Sequence, residues 1–127
     1  MSPRLVIRDE CTITVEAFEE PTSLTTARKW QEPCVIDGIV ETLRESPLWG
    51  WCYVKVTASW GYTNQFDAES FITGEAYLGE CSYKDEQDFR QAGDYFDQLV
   101  AEALDELNNE IQHLLANASC IEKALSE

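Results

Sequence analysis

The sequence predicts an α+β fold: a three-stranded antiparallel sheet with helices packed on it, in the order β-α-β-β-α, ending in a long C-terminal helix. Three observations predict it. Segments 11–17 and 52–60 alternate apolar and polar residues, the period of a half-buried strand, and a third strand-like stretch lies at 74–83. From Asp94 onward, apolar residues recur at intervals of three and four, the period of an amphipathic helix. The third observation is bulk. The 44% apolar content and fourteen aromatics in 127 residues suffice for one core, so residues 1–127 read as a single domain.

The first strand is Cys11-Thr12-Ile13-Thr14-Val15-Glu16-Ala17, closed by Pro21. Residues 22–32 fit either a loop or a short helical piece. From Pro33 to about Glu45, the residues Val35, Ile36, Ile39, Val40 and Leu43 follow helical spacing, with the proline where a first turn tolerates one. Gly38 weakens this helix and Pro47 ends it. Cys52 to Trp60 is the central strand, rich in β-formers, with its even positions facing the core. Gly61 to Ser70 reads as a polar connection, and the third strand follows from about Gly74 to Tyr83, Gly79 marking a bulge or close approach. Asp85, Glu86 and Asp88 crowd the start of a short helix, where negative charge is favoured. Gly93 separates that helix from the long one.

On the long helix the apolar stripe runs through Phe96, Val100, Ala103, Leu107, Ile111, Leu114, Ala118, Ile121 and Leu125, about eight turns. The core is expected to include Ile13, Val15, Val54, Val56, Leu107 and Ile111. A helix this long outruns a small sheet, so Ile111, Leu114, Ala118, Ile121 and Leu125 are expected to form a homodimer seam.

Charge is what bears most on function. The chain carries −15, and residues 56–127 hold fifteen acids against only Lys84, Arg90 and Lys123. A field of one sign repels nucleic acid and anionic membrane and attracts basic surfaces, so the expected partner is a basic protein surface. Asp94, Asp97, Glu102, Asp105, Glu106 and Glu110 are the candidate contact residues. They occupy sixteen residue steps, roughly 24 Å, or one charge per ~4 Å of helix axis, against ~3.4 Å per phosphate along one DNA strand. An acidic face of this kind either keeps a protein soluble or imitates a phosphate backbone. The missing basic i+4 partners are what favour a specific role.

A second candidate surface is aromatic. If the even positions of the central strand face the core, Trp49, Trp51 and Tyr53 share the opposite face and offer a contact surface, unless a helix covers them. Stacking of bases there is disfavoured, because such platforms come with a basic groove.

No catalytic, metal or cofactor site is expected. The five cysteines are scattered, without a C-x-x-C pair, and read as reduced core-filling thiols, except Cys120 on the polar side of its helix. His113, the one histidine, lacks ligands at metal spacing and reads as an exposed residue. No nucleotide-binding loop, nucleophile elbow or dinucleotide fingerprint occurs, so an enzyme is not expected. There is no apolar run of transmembrane length and no secretory signal, so the expected setting is the cytoplasm.

The order of the segments Ile13 to Ala17, Trp49-Gly50-Trp51-Cys52-Tyr53-Val54-Lys55-Val56-Thr57-Ala58 and Ala76-Tyr77-Leu78-Gly79-Glu80-Cys81-Ser82-Tyr83, then Asp88-Phe89 and the acidic helix, resembles small uncharacterised acidic proteins carried by bacteriophages and mobile elements. The resemblance covers Ile13 to about Leu107. It implies no activity and no catalytic residues, only a phage-like setting, in which small acidic non-enzymatic proteins are often inhibitors of host defence. The expected function is therefore a DNA mimic of the anti-CRISPR or anti-restriction type, blocking a basic nucleic-acid-binding surface in the host bacterial cytoplasm. The alternative is a dimeric structural or assembly protein associating through its C-terminal helix.

Overall fold

The computed structural model describes residues 4–21, 23, 33–93, 95–115 and 119–126. A short 3-10 turn at Arg8–Glu10 leads into β1 (Thr12–Glu19). Helix α1 (Pro33–Glu45), strands β2 (Cys52–Thr63) and β3 (Glu69–Cys81), and helices α2 (Glu86–Ala92), α3 (Phe96–Leu114) and α4 (Ser119–Ser126) follow. The strands form one antiparallel sheet in the order β1-β2-β3. This is the α+β class that the alternating and helical periods predict.

The phase of β2 follows from its sequence. Val54, Val56 and Ala58 are fully buried and Trp60 nearly so, while Tyr53, Lys55, Thr57 and Ser59 on the other face are half-buried. Of the expected core, Val15, Val54, Val56, Leu107 and Ile111 are buried and Ile13 is half-buried.

Two boundaries differ from those read in the sequence. The connection between β2 and β3 is not a long loop: β2 runs to Thr63 and β3 begins at Glu69, leaving a tight turn at 64–68. Glu69 to Thr73 alternate in burial like the rest of the strand: Glu69 lies on the exposed face, and Ser70, on the other, is half-buried and accepts from Asn64 Nδ2. The irregular backbone near the end of β3 falls at Glu80, with φ of 54°, one residue after the glycine expected to mark it. The possible short helix at 22–32 falls outside the described residues apart from Ser23.

Contacts group the chain into two units. One comprises Met1–Thr14, Val56–Ala76 and Gln98–Glu127. Within it, Gly74 of β3 lies directly against the backbone of α3: a Cβ there would collide with the Ala103 carbonyl oxygen and the Leu107 nitrogen. The N-terminal segment is pinned to the same helix through Asn108. Its Oδ1 accepts from the Val6 N–H at 2.9 Å, and its Nδ2 donates to the Val6 carbonyl at 3.0 Å and the Leu104 carbonyl at 3.1 Å. Asn108 and Val6 are both buried, so these bonds replace the water both groups lose. Nearer the surface, Arg4 meets Glu10 at 2.6 and 2.8 Å, and this hydrogen bonding holds the Glu10 carboxyl below its ordinary range.

The other unit comprises Val15–Lys55 and Tyr77–Asp97. Ile36 and Ile39 of α1 bury themselves on Trp51, flanked by Val40 and Leu43. Phe89 of α2 is almost wholly buried and sits among Trp49, Tyr83 and Phe96, with ring centroids 5.1–6.2 Å away. Asp85 caps α2 by accepting from the Asp88 N–H at 2.8 Å, and Asp88 accepts in return from the Lys84 N–H at 3.0 Å. Gly93 ends the helix in the left-handed conformation. The acidic start and glycine stop seen in the sequence thus have their expected structural roles.

Candidate acidic interface

Helix α3 carries the acidic residues and is oriented by what it buries. Leu99, Val100, Ala103, Leu107 and Ile111 are buried, so the remaining sides of the helix meet water. Asp97, Glu102, Asp105, Glu106 and Glu110 are all exposed. Asp94 falls outside the described residues. The five run over thirteen residue steps, about 20 Å of axis, a mean separation of ~5 Å between neighbouring charges.

They do not form a single file. At roughly 100° of rotation per residue, Asp105, Glu102 and Glu106 span about 100° of the circumference, whereas Asp97 and Glu110 fall on either flank of that group. A flat basic surface would meet the central three together; a concave groove would also reach the flanks. Glu102 accepts from Gln98 Nε2 at 3.2 Å, one turn earlier, which steers its carboxylate along the helix. No lysine or arginine occurs between Arg90 and Lys123, so the helix supplies no internal cation to neutralise the group. Such exposed carboxylates offer long-range attraction and hydrogen-bond acceptance towards cationic side chains.

The aromatic surface expected from Trp49, Trp51 and Tyr53 is not present as such. Strand β2 begins only at Cys52, so the alternation of the strand does not extend back to the two tryptophans. Trp51 is buried against α1, and Trp49 is half-buried beside Phe89. Tyr53 alone follows the strand phase. It stacks on Phe18 at 5.0 Å and lies 6.4 Å from Tyr77, forming an aromatic row on the less buried side of the strand, with Lys55 over the Phe18 ring at 5.6 Å. Tyr77 is exposed at the end of this row.

The apolar seam expected at the C-terminus is also altered. The helix does not continue for eight turns; α3 ends at Leu114 after about five, and α4 resumes at Ser119. Ile111, Ile121 and Leu125 are covered by the chain itself, leaving 1%, 1% and 4% of their surface exposed. Leu114 is left at the surface, and Ala118 lies outside the described residues. Three of the five residues expected in a dimer seam are thus covered within the chain, and Leu114 is the described seam residue left at the surface.

Two of the thiols are shielded rather than prepared as nucleophiles. Cys52 and Cys81 are buried, and burial pushes their pKa values up to about 11 and about 12. Cys34 is exposed, against the expectation of a core thiol, and the side chain of Cys120 lies outside those described. A depression of about 250 Å³ is lined by Leu78 to Tyr83, Glu80 and Cys81 among them, and by Tyr95. Among the described residues, no three His, Cys, Asp or Glu side chains are grouped to hold a metal ion, and His113 is exposed. Among the same residues, no helix is long and apolar enough to cross a membrane.

The sequence did not single out Asn108, which fixes the rotation of the acidic helix. A lone asparagine inside an amphipathic helix reads as one more polar position, and only its buried partner Val6 distinguishes it. No protein-family model, no curated protein and no solved structure matches the chain.

Proposed function

We propose that this chain is a non-enzymatic acidic binding protein that occupies a basic, nucleic-acid-binding surface of a partner protein. The observation that carries the reading is the exposed, internally unneutralised group Glu102, Asp105 and Glu106 on α3, flanked by Asp97 and Glu110. Its mean axial charge spacing of ~5 Å is of the same order as the ~3.4 Å between phosphates along one DNA strand, and a Lys- or Arg-lined groove binds such an array by releasing counterions, as it does on DNA. The resemblance to proteins of phages and mobile elements directs the choice of partner to host-defence complexes of the CRISPR or restriction type, in the bacterial cytoplasm.

The test is substitution of the charges without loss of the fold. Replacing Asp97, Glu102, Asp105 and Glu106 together by Asn or Gln should leave the circular dichroism spectrum unchanged, because all four are exposed helix positions. Binding to the purified partner should fall by a factor of about 100 or more, while any single replacement costs about threefold to tenfold. Undiminished binding by the quadruple variant would remove the acidic face from consideration.

A further inference from the structure

The turn between β2 and β3 is held by one residue, and what it holds is a phenylalanine in water. Asn64 Oδ1 accepts from the N–H groups of Phe66 at 2.9 Å and Ala68 at 3.1 Å, and its Nδ2 donates to Ser70 Oγ at 2.7 Å. The Asn64 backbone N–H donates to the Ala68 carbonyl at 2.8 Å, and its carbonyl accepts from the Asp67 N–H at 3.1 Å. Asp67 completes the turn in the left-handed region, with φ of 60°, which aspartate tolerates better than most residues. Phe66 at the tip is 80% exposed.

A second phenylalanine stands on the same hairpin. Phe71 is 60% exposed, and its ring lies across Gly61 on the neighbouring strand, where a Cβ would come within 3.1 Å of Phe71 Cε1. Two carboxylates stand beside the rings: Asp67 follows Phe66 in the turn, and Glu69 reaches Gly61 alongside the Phe71 ring.

We propose that this hairpin tip is a docking element, with Phe66 entering an apolar pocket on a partner protein whose rim carries Lys or Arg, and Phe71 making a second contact. Aromatic side chains in apolar pockets are the common anchors of protein interfaces, and a turn already fixed by five hydrogen bonds loses little conformational freedom on docking. The acidic surround selects the partner. It is repelled by an anionic lipid surface and by a second copy of the same hairpin, and attracted to a cationic rim. The proposal concerns a hydrophobic contact at residues outside α3 and stands independently of the acidic-helix reading.

The experiment places a photo-cross-linking benzoylphenylalanine at position 66 of the full chain, irradiates it in bacterial cells, and maps the adduct by mass spectrometry. The expected result is one heterologous protein, cross-linked through an apolar segment flanked by Lys or Arg. Phe66→Ala should then weaken binding to that purified protein at least about fivefold. The variant with Asp97, Glu102, Asp105 and Glu106 neutralised should give the same cross-linked segment even if the yield falls, which separates this proposal from the one for α3. An adduct with a second copy, with lipid or with no discrete protein overturns the proposal, as does a loss smaller than fivefold for Phe66→Ala.

Discussion

Asn108 ties three backbone groups to one side chain: the N–H and carbonyl of Val6 and the carbonyl of Leu104. Deleting its amide leaves both polar groups of Val6 buried without a partner, and a buried unsatisfied group costs about 1–3 kcal/mol. Asn108→Ala should therefore lower the unfolding free energy by roughly 2–4 kcal/mol in urea titration, allowing for partial rescue by water. Asn108→Asp tests the same site by chemistry rather than size, since a carboxylate accepts from the Val6 N–H but has no N–H to donate to its carbonyl. Nothing in the sequence marks this residue. Its role depends on a segment 102 positions away, and periodicity reports only on neighbours along one element.

At the scale of elements, what could be read from the sequence was what depends on local pattern. The burial phase of β2, the helical spacing of α1 and the acidic start and glycine stop of α2 all follow from residues within a few positions of one another. What could not be read depended on packing. The alternation 49, 51, 53 looked like one strand face, yet the strand starts at Cys52 and α1 covers Trp51. The apolar period from Phe96 to Leu125 looked continuous, yet the chain divides it between α3 and α4 and buries Ile121 and Leu125 itself. The acidic face was legible as charge, and its spread around the helix follows from the same residue spacing at roughly 100° per residue, whereas its exposure follows from which side the core takes. Gly74 shows how close the packing on α3 is, because any side chain there overlaps backbone atoms of Ala103 and Leu107. Backbone cannot swing aside as a flexible side chain can, so Gly74→Ala should force β3 and α3 apart and cost about 3 kcal/mol or more. Thermal denaturation of this variant should show a large drop in Tm, and an unchanged Tm would mean that the strand and helix are not in contact at this point.

For the molecule as a whole, the charge of −15 is a source of self-repulsion as well as of attraction. Raising NaCl from about 50 mM to about 500 mM shortens the screening length from ~14 Å to ~4 Å and should raise Tm by ~3 °C or more. Salt should act oppositely on the complex with a basic partner, because there it screens attraction. The direct test of the central claim is competition on that partner. Labelled duplex DNA is bound to the purified basic protein, this chain is added at increasing concentration, and the assembly is followed by anisotropy and sedimentation. The account predicts that DNA is displaced, that no species contains all three components, and that the displacing affinity falls steeply as salt rises. A stable ternary complex, or displacement that is indifferent to salt, would contradict it.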